Sequence, residues 1–150
     1  HGGIIKDGAK MVNAVANSVV PKFTIITGNS FGAGNYAMCG KAYDPRFIVS
    51  WPWAELAVMG GSQAAKVLVQ IQESTLKKQG KEITTEEHNK LVEKITQNYT
   101  KQTKVEYSAA RIWVDAIINP LDTRKWISAG IEGANNSPIT DKFNLGVIQV

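Results

Sequence analysis

The sequence has 150 residues, of which 43% are hydrophobic, and a formal net charge of +4. Between Lys77 and Lys104 the basic residues alternate with glutamates, which predicts a solvated surface of mixed charge and argues against a nucleic-acid-binding stripe. No apolar run approaches the ~20 residues that a membrane-spanning helix needs. We therefore expect one domain with its own core, and neither nucleic acid nor a membrane as a partner.

The cysteine and histidine content argues against a metal site. The single cysteine, Cys39, and two distant histidines provide no grouped ligands. Because Cys39 lies in an apolar turn with no histidine signature nearby, we predict a buried structural thiol in an intracellular protein. The N-terminus lacks an initiating methionine and the features of a signal or transit peptide, so we expect the chain to begin within a longer protein.

The first elements in chain order are a helix and a strand. Apolar residues at helical spacing predict a helix from Ile4 that ends before Pro21. Gly8 and Ala9 on its inner face predict close packing against a neighbour. The β-branched and aromatic residues from Lys22 to Thr27 then predict a strand.

A glycine-rich segment from Thr27 to Gly40 follows this strand and predicts a tight strand-to-helix turn, with a helix opening at Asn35. Backbone N–H groups at such a turn suit a carboxylate, a phosphate or an oxyanion. The spacing is not that of a P-loop, and Ala37 replaces the third glycine of the dinucleotide-binding pattern. On pattern alone, close helix packing explains the glycines equally well.

A second unit repeats this order. The segments from Phe47 to Trp51 and from Leu56 to Met59 predict two short buried strands, and Gly60-Gly61 predicts a second strand-to-helix turn. Ser62 is the predicted N-cap of the next helix. Its predicted apolar stripe consists of Ala64, Ala65, Leu68, Ile71 and Thr75.

The remaining chain predicts two more helices. Thr84-Thr-Glu-Glu has the pattern of a capping box and predicts a surface helix that reaches Gln102. Asn119-Pro-Leu-Asp predicts the start of a last helix that ends near Ala134. The tail after it carries apolar residues, Phe143, Leu145, Val147 and Ile148, which we expect to be buried.

Several ordered segments carry a family resemblance. The sequence resembles the carboxyltransferase (beta) subunit of biotin-dependent acyl-CoA carboxylases, and is most similar to the methylcrotonoyl-CoA carboxylase branch. The resemblance covers nearly the whole chain and is weakest from Leu76 to Lys104. The matching segments are Gly8-Ala-Lys-Met-Val, Val20-Pro-Lys, the run from Ser30 to Phe47, Trp51-Pro, Val58-Met-Gly-Gly-Ser-Gln-Ala-Ala, and the run from Tyr107 to Arg124.

This resemblance implies an α/β fold, the crotonase (ClpP-like) superhelix of strand-strand-helix units. Residues 1–150 would then be the C-terminal part of a truncated carboxyltransferase domain, with a helical excursion over about 62–104. In the family the other half of the subunit holds the acyl-CoA, so the isolated fragment is expected to be inactive.

The implied reaction is carboxyl transfer from carboxybiotin to an acyl-CoA such as 3-methylcrotonoyl-CoA. Negative charge develops on oxygen in both reactants, which calls for oxyanion holes built from backbone N–H groups. By motif position, the resemblance assigns the N–H groups of Ala33 and Gly34 to the biotin ureido oxygen. The other candidates are Phe31, Gly32 and Tyr36 around the turn, and Trp51, Met59, Gly60 and Gly61 on a pocket wall. For Trp51 and Met59, plain core packing remains an open alternative.

The resemblance also implies partners. Biotin would be carried by a partner alpha subunit with biotin carboxylase and biotin carrier domains, in an ATP-dependent holoenzyme whose beta subunits form a hexamer. The compartment would be the bacterial cytoplasm or the mitochondrial matrix. Two alternatives stay open: a crotonase-type enoyl-CoA hydratase or isomerase with Glu55 as acid and base, and a non-catalytic assembly domain.

Overall fold

The computed structural model describes residues 3–80 and 84–137, together with the isolated positions 139 and 142. Two short 3-10 helices, Lys41–Tyr43 and Pro120–Asp122, lie among the longer elements. The strands are β1 (Phe23–Ile26), β2 (Asn29–Phe31), β3 (Phe47–Ser50), β4 (Glu55–Ala57) and β5 (Ala116–Ile117). The helices are α1 (Ile4–Asn17), α2 (Gly32–Ala37), α3 (Gly61–Lys78), α4 (Thr85–Thr103), α5 (Val105–Ala109) and α6 (Thr123–Asn135).

The strands form two parallel sheets. One has the order β1-β3-β5, and the other pairs β2 with β4. In the register of the larger sheet, Ile25 lies opposite Val49, which lies opposite Ala116. Because parallel neighbours need crossover connections, the chain runs β1-β2-α2 and then β3-β4-α3, so that a strand-strand-helix unit occurs twice. The predicted α/β class and its repeating unit are confirmed.

The short strand β2 was not predicted. Asn29 to Phe31 pair in register with Glu55 to Ala57, a segment that is distant in sequence. This pairing extends the chain beyond the end of β1, so α2 begins at Gly32 rather than at the predicted Asn35. It also sets the bounds of β4, which begins and ends earlier than the prediction of Leu56 to Met59.

The core lies against one face of the larger sheet. A buried apolar cluster joins the sheets to α5 and the segment after it; its members are Ile26, Ile48, Ala54, Leu56, Val105 and Val114. Cys39 is 8% exposed, which confirms the predicted buried thiol. Elsewhere, α6 approaches β1 and β3 so closely that a Cβ on Gly130 would lie 2.6 Å from Phe47 Cε1.

Helix α1 packs less than its sequence predicts. Gly8 is half-buried, but Ala9 is exposed and no residue of the helix is fully buried. Ile4 and Ile5 are each 86% exposed. The main contacts of α1 within the described chain are with α2. A Cβ on Gly8 would meet nothing within 4 Å, so the prediction of close packing at Gly8 and Ala9 is wrong.

Helices α3 and α4 pack against each other as a hairpin. The predicted cap at Ser62 is wrong, because α3 begins two residues earlier than that cap implies and its N-cap is Gly60. The buried residues of α3 are Ala64, Ala65 and Val69, whereas the predicted stripe residues Leu68 and Ile71 are 40% and 56% exposed. The second helix, α4, covers a different part of α3 from the one the stripe predicts.

The capping box of α4 is confirmed. The Thr84 hydroxyl accepts a hydrogen bond from the Glu87 backbone N–H, and the Thr84 N–H donates to Glu87 Oε2 at 3.0 Å. The Thr84 backbone N–H, and then its hydroxyl, hold the pKa of Glu87 below its ordinary value. Across the hairpin, His88 Nδ1 lies 2.6 Å from Glu73 Oε1.

The last predicted helix is also present. It runs from Thr123 to Asn135, and its N-cap is Asp122. The predicted cap, Asn119, instead caps the preceding 3-10 helix, where its Oδ1 accepts a hydrogen bond from the Leu121 N–H. The apolar tail from Phe143 to Ile148 lies outside the described residues. Over the ranges described, no helix is long and apolar enough to cross a membrane, and no group of side chains is suited to hold a metal ion.

Candidate functional site

The turn between β2 and α2 requires glycine at its first helical position. Gly32 has φ +56°, a left-handed conformation that side chains disfavour. A Cβ at this position would lie 2.7 Å from the backbone oxygen of Val58. Gly32 therefore lets β2 and the end of β4 approach each other closely, and it determines where the following amides lie.

The first-turn amides of α2 include the two predicted oxyanion donors. Phe31 is the N-cap, and its side chain makes no capping hydrogen bond. The first N–H groups of a helix have no acceptor inside it, so the Ala33 and Gly34 amides are available to an external oxygen. A Cβ on Gly34 would meet nothing within 4 Å, so there is open space beside this turn.

A cavity of about 450 Å³ adjoins the turn. Gly32 and Ala33 line it, whereas Gly34 does not. Its polar lining residues are Asn35, Tyr36 and Lys41, and the other walls are the apolar residues Ile26, Ile48, Leu56, Ala57, Val58 and Trp113. An apolar concave site with a few convergent polar groups is the usual form of a small-molecule binding site.

Pairing of β2 with β4 brings the two predicted glycine turns together. Phe31 lies opposite Ala57 in the ladder, and Phe31 Cε2 would be 3.8 Å from a Cβ on Gly60. Phe31, Gly32 and Gly60 are therefore neighbours. Gly61 instead packs towards α4, since a Cβ there would lie 3.9 Å from Tyr99 Cδ1. Met59, which lies between the turn and the helix, is half-buried.

Trp51 lies away from the cavity lining. Its Nε1 donates to Thr123 Oγ1 at 3.0 Å, which links the end of β3 to α6. Its ring packs edge-on against Trp53 at a centroid distance of 5.4 Å. Trp53 in turn donates from Nε1 to the Thr27 backbone oxygen. These contacts favour the packing interpretation of Trp51 over a place on the pocket wall.

Glu55 is a sheet residue. It is the first residue of β4, lies opposite Asn29 in the ladder, and forms an antiparallel bridge with Lys104. It is not among the residues that line the cavity. A hydratase needs a carboxylate in reach of the acyl carbon, and Glu55 does not take that place beside the turn.

The structure adds three cavity residues that the sequence analysis did not single out: Asn35, Lys41 and Trp113. Asn35 Oδ1 accepts a hydrogen bond from Ser30 Oγ at 2.8 Å. Lys41 Nζ lies 3.5 Å from Asp115 Oδ1. Asn35 and Lys41 lie in the run from Ser30 to Phe47 that carries the family resemblance and includes the glycine turn. This run was a signal from which the sequence analysis could have found them. Trp113 reaches the cavity only through the packing of the segment after α5.

The carboxyl transferase domain family matches residues 1–144 of this chain. The chain belongs to this family. It is 51% identical over 139 residues to the mitochondrial methylcrotonoyl-CoA carboxylase beta chain of Arabidopsis thaliana, a match that covers 93% of this chain and 24% of the relative. The predicted resemblance is therefore confirmed.

Solved carboxyl transferase structures have the same fold. The geranyl-CoA carboxylase beta subunit of P. aeruginosa matches with a TM-score of 0.79 and 38% identity, over 95% of this chain and 27% of that one. Transcarboxylase 12S, described as a hexamer assembly with hydrolysed methylmalonyl-coenzyme A bound, matches with a TM-score of 0.77 and 30% identity, over 95% of this chain and 26% of that one.

These matches confirm the crotonase-like fold and give no support to the hydratase alternative. The chain spans about a quarter of the length of these carboxyl transferase relatives.

Proposed function

We propose that this chain is the biotin-side, C-terminal part of the carboxyltransferase subunit of a biotin-dependent acyl-CoA carboxylase. The reaction is carboxyl transfer from carboxybiotin to an acyl-CoA, with 3-methylcrotonoyl-CoA or a similar thioester as acceptor. Membership of the carboxyl transferase family supports the reaction class. The observation that carries the site is the glycine turn, whose amides lack a side-chain cap and whose residues Gly32 and Ala33 line an apolar cavity.

The fit of biotin to this turn depends on backbone donors. Carboxybiotin supplies the carboxyl group: its N–C bond breaks as a C–C bond forms to the α- or vinylogous γ-carbon of the acyl group, and the proton lost from that carbon ends on the ureido nitrogen. The Ala33 and Gly34 N–H groups would donate to the ureido oxygen as negative charge develops there. Donors held by the backbone need no reorganisation during the reaction and do not titrate.

The other candidates shape this site. Gly32 holds the turn against Val58, and Phe31 fills the space beside Gly60. Tyr36 is 46% exposed and borders the cavity. Met59 and Gly61 of the second turn are not among the residues that line the cavity, and Trp51 acts from outside the cavity by anchoring the end of β3 to α6.

The assembly proposal follows the family. We propose that an alpha subunit with biotin carboxylase and biotin carrier domains delivers the biotin, and that beta subunits form a hexamer like that of transcarboxylase 12S. The acyl-CoA would be held by the rest of the subunit. The mitochondrial name of the Arabidopsis thaliana relative supports the mitochondrial matrix as the compartment in a eukaryote, and the cytoplasm takes its place in a bacterium.

The test is carboxyl transfer by the full-length subunit with its partner, comparing Ala33→Pro with the wild type. Proline removes the N–H of the second residue of α2 and is tolerated in a first helical turn. Losing one oxyanion donor costs about 10²-fold or more in rate. Glu86→Pro is the matched control, since Glu86 is the second residue of α4 and lies in a helix outside the site.

We expect a large loss of rate for Ala33→Pro and retention of activity for Glu86→Pro. Circular dichroism and binding of the acyl-CoA check that both variants fold. A folded Ala33→Pro subunit with unchanged transfer rate would contradict the assignment and leave the turn a packing element. Equal losses in both variants would show that proline in a first turn is itself the damage.

A further inference from the structure

One corner of the cavity carries its polar donors. Within the described chain, Lys41 is the sole charged residue that lines this cavity, and the side-chain amide of Asn35 lines it as well. The two residues meet around Gly40: a Cβ on Gly40 would lie 3.2 Å from Asn35 Nδ2, and Lys41 is the next residue. An ammonium group and an amide NH₂ therefore come from one side of a wall that, apart from Tyr36, is apolar.

The hydrogen-bond and ion-pair partners of Asn35 and Lys41 leave N–H donors of both side chains available. Ser30 Oγ donates to Asn35 Oδ1, which orients the amide and leaves its NH₂ without a described partner. Lys41 Nζ lies 3.5 Å from Asp115 Oδ1, longer than the ~2.7–2.9 Å of a strong charge-assisted hydrogen bond. Because an ammonium group carries three N–H bonds, Lys41 can hold this contact and a second anion.

Asp115 is fixed independently of Lys41. Its Oδ2 accepts a hydrogen bond from the Ile48 backbone N–H at 2.7 Å, and its own N–H donates to the Ile48 backbone oxygen at 2.7 Å. The carboxylate is thus tied to β3, and its second oxygen positions the lysine at the cavity. Asp115 therefore orients Lys41 from outside the cavity lining.

We propose that Asn35 and Lys41 bind the carboxylate at the end of a carboxylated acyl chain, whose hydrocarbon part lies against the apolar walls. This inference rests on the proposed function, in which such a chain is the product. A carboxylate buried against apolar walls is costly unless it is paired, and this corner supplies the only described cation for that pairing. The cavity also borders Ala33. The carboxyl group that carboxybiotin releases at the glycine turn and the corner that binds this group on the product would therefore lie in the same cavity.

The test is binding of two probes to the full-length subunit by calorimetry. Valeryl-CoA and glutaryl-CoA have the same number of acyl carbons, and only the second ends in a carboxylate. The Lys41 side chain is 54% exposed, so we expect Lys41→Met to weaken the binding of glutaryl-CoA by about fivefold to tenfold, between an exposed ion pair and a buried charged hydrogen bond. The affinity for valeryl-CoA should change little. Lys94→Met, an exposed lysine on α4, is the matched control and should alter neither affinity.

Further variants separate anion binding from a structural ion pair. Asp115→Asn leaves the charge of Lys41 unopposed and should retain or strengthen glutaryl-CoA binding. Asn35→Asp should weaken it by repulsion, and Lys41→Arg should retain most of it. If Lys41 and Asp115 only stabilise the fold, Lys41→Met and Asp115→Asn should instead weaken the binding of both probes to the same extent. That result would overturn the proposal.

The wild type distinguishes the two levels of inference. If it binds both probes and Lys41→Met changes neither, the carboxylate corner is wrong while the proposed function stands. If the wild type carboxylates 3-methylcrotonoyl-CoA but binds neither probe, the corner is wrong and the proposed function stands. If it neither transfers a carboxyl group to any acyl-CoA nor binds either probe, both fail.

Discussion

Replacing Gly32 with alanine tests how the turn is held. An L-residue in a left-handed conformation costs about 1–2 kcal/mol. The new Cβ would also lie 2.7 Å from the Val58 backbone oxygen, and a backbone atom cannot rotate away as a side chain can. Overpacking of this kind costs about 1–3 kcal/mol. Together we expect Gly32→Ala to destabilise the turn by about 2–5 kcal/mol.

The assay is hydrogen exchange of the amides of β2, α2 and β4 in the full-length subunit, because local opening is measured there directly. Loss of protection should be concentrated in these elements, and carboxyl transfer should fall because the Ala33 amide moves with the turn. Gly34→Ala is the matched stability control. Its Cβ would meet nothing within 4 Å, and alanine is favoured over glycine in a helix by about 0.5–1 kcal/mol.

We therefore expect opposite signs: weaker protection for Gly32→Ala and equal or stronger protection for Gly34→Ala. Equal protection in the two variants would refute the reasoning, since it would mean that neither the left-handed φ nor the approach of Val58 constrains the turn. A loss of protection spread over the whole subunit would also refute it, because the strain would then not be local.

Two other predictions concern stability away from the site. Thr84→Ala removes the cap of α4, which should cost about 1 kcal/mol and speed hydrogen exchange in its first turn. The pKa of Glu87 is lower in the folded than in the unfolded chain. The contribution of this carboxylate to stability is therefore present above the unfolded pKa and is lost as the pH falls through the folded pKa. An unchanged exchange rate would contradict the cap. Gly130→Ala should lower the thermal midpoint of the subunit, since its Cβ would lie 2.6 Å from Phe47 Cε1, whereas Gly133→Ala, with nothing within 4 Å, should raise it slightly or leave it unchanged. Equal midpoints for the two glycine variants would show that α6 can shift away from β3.

Local chemistry explains the elements that were predicted well. The capping box at Thr84, the cap at Asn119 and the apolar spacing of α1 act over a few neighbouring residues, so their signals lie within short stretches of sequence. The β-branched run that ends at Ile26 works in the same way. The predicted cap at Ser62 is wrong because Gly60, two residues earlier, has the extended backbone conformation that an N-cap needs.

Long-range pairing explains what was missed. Strand β2 exists because Asn29 to Phe31 find partners on β4, and no property of those three residues alone predicts this. The same pairing moved the start of α2 to Gly32. The stripe of α3 is confirmed at Ala64 and Ala65 and wrong at Leu68 and Ile71, because which positions are buried depends on where the other elements pack against the helix.

The candidate site also has one part that the local sequence predicts and another that depends on tertiary packing. The sequence by itself determined the family and the glycine turn with its two candidate donors, because these reside in an ordered run of residues that needs no partner to be recognised. Only the tertiary structure decided that Phe31 and Gly60 are neighbours, that Trp51 packs outside the cavity, and that Lys41 meets Asp115. The physical reason is that a cavity is formed by surfaces from distant segments, and their approach depends on sheet register and core packing.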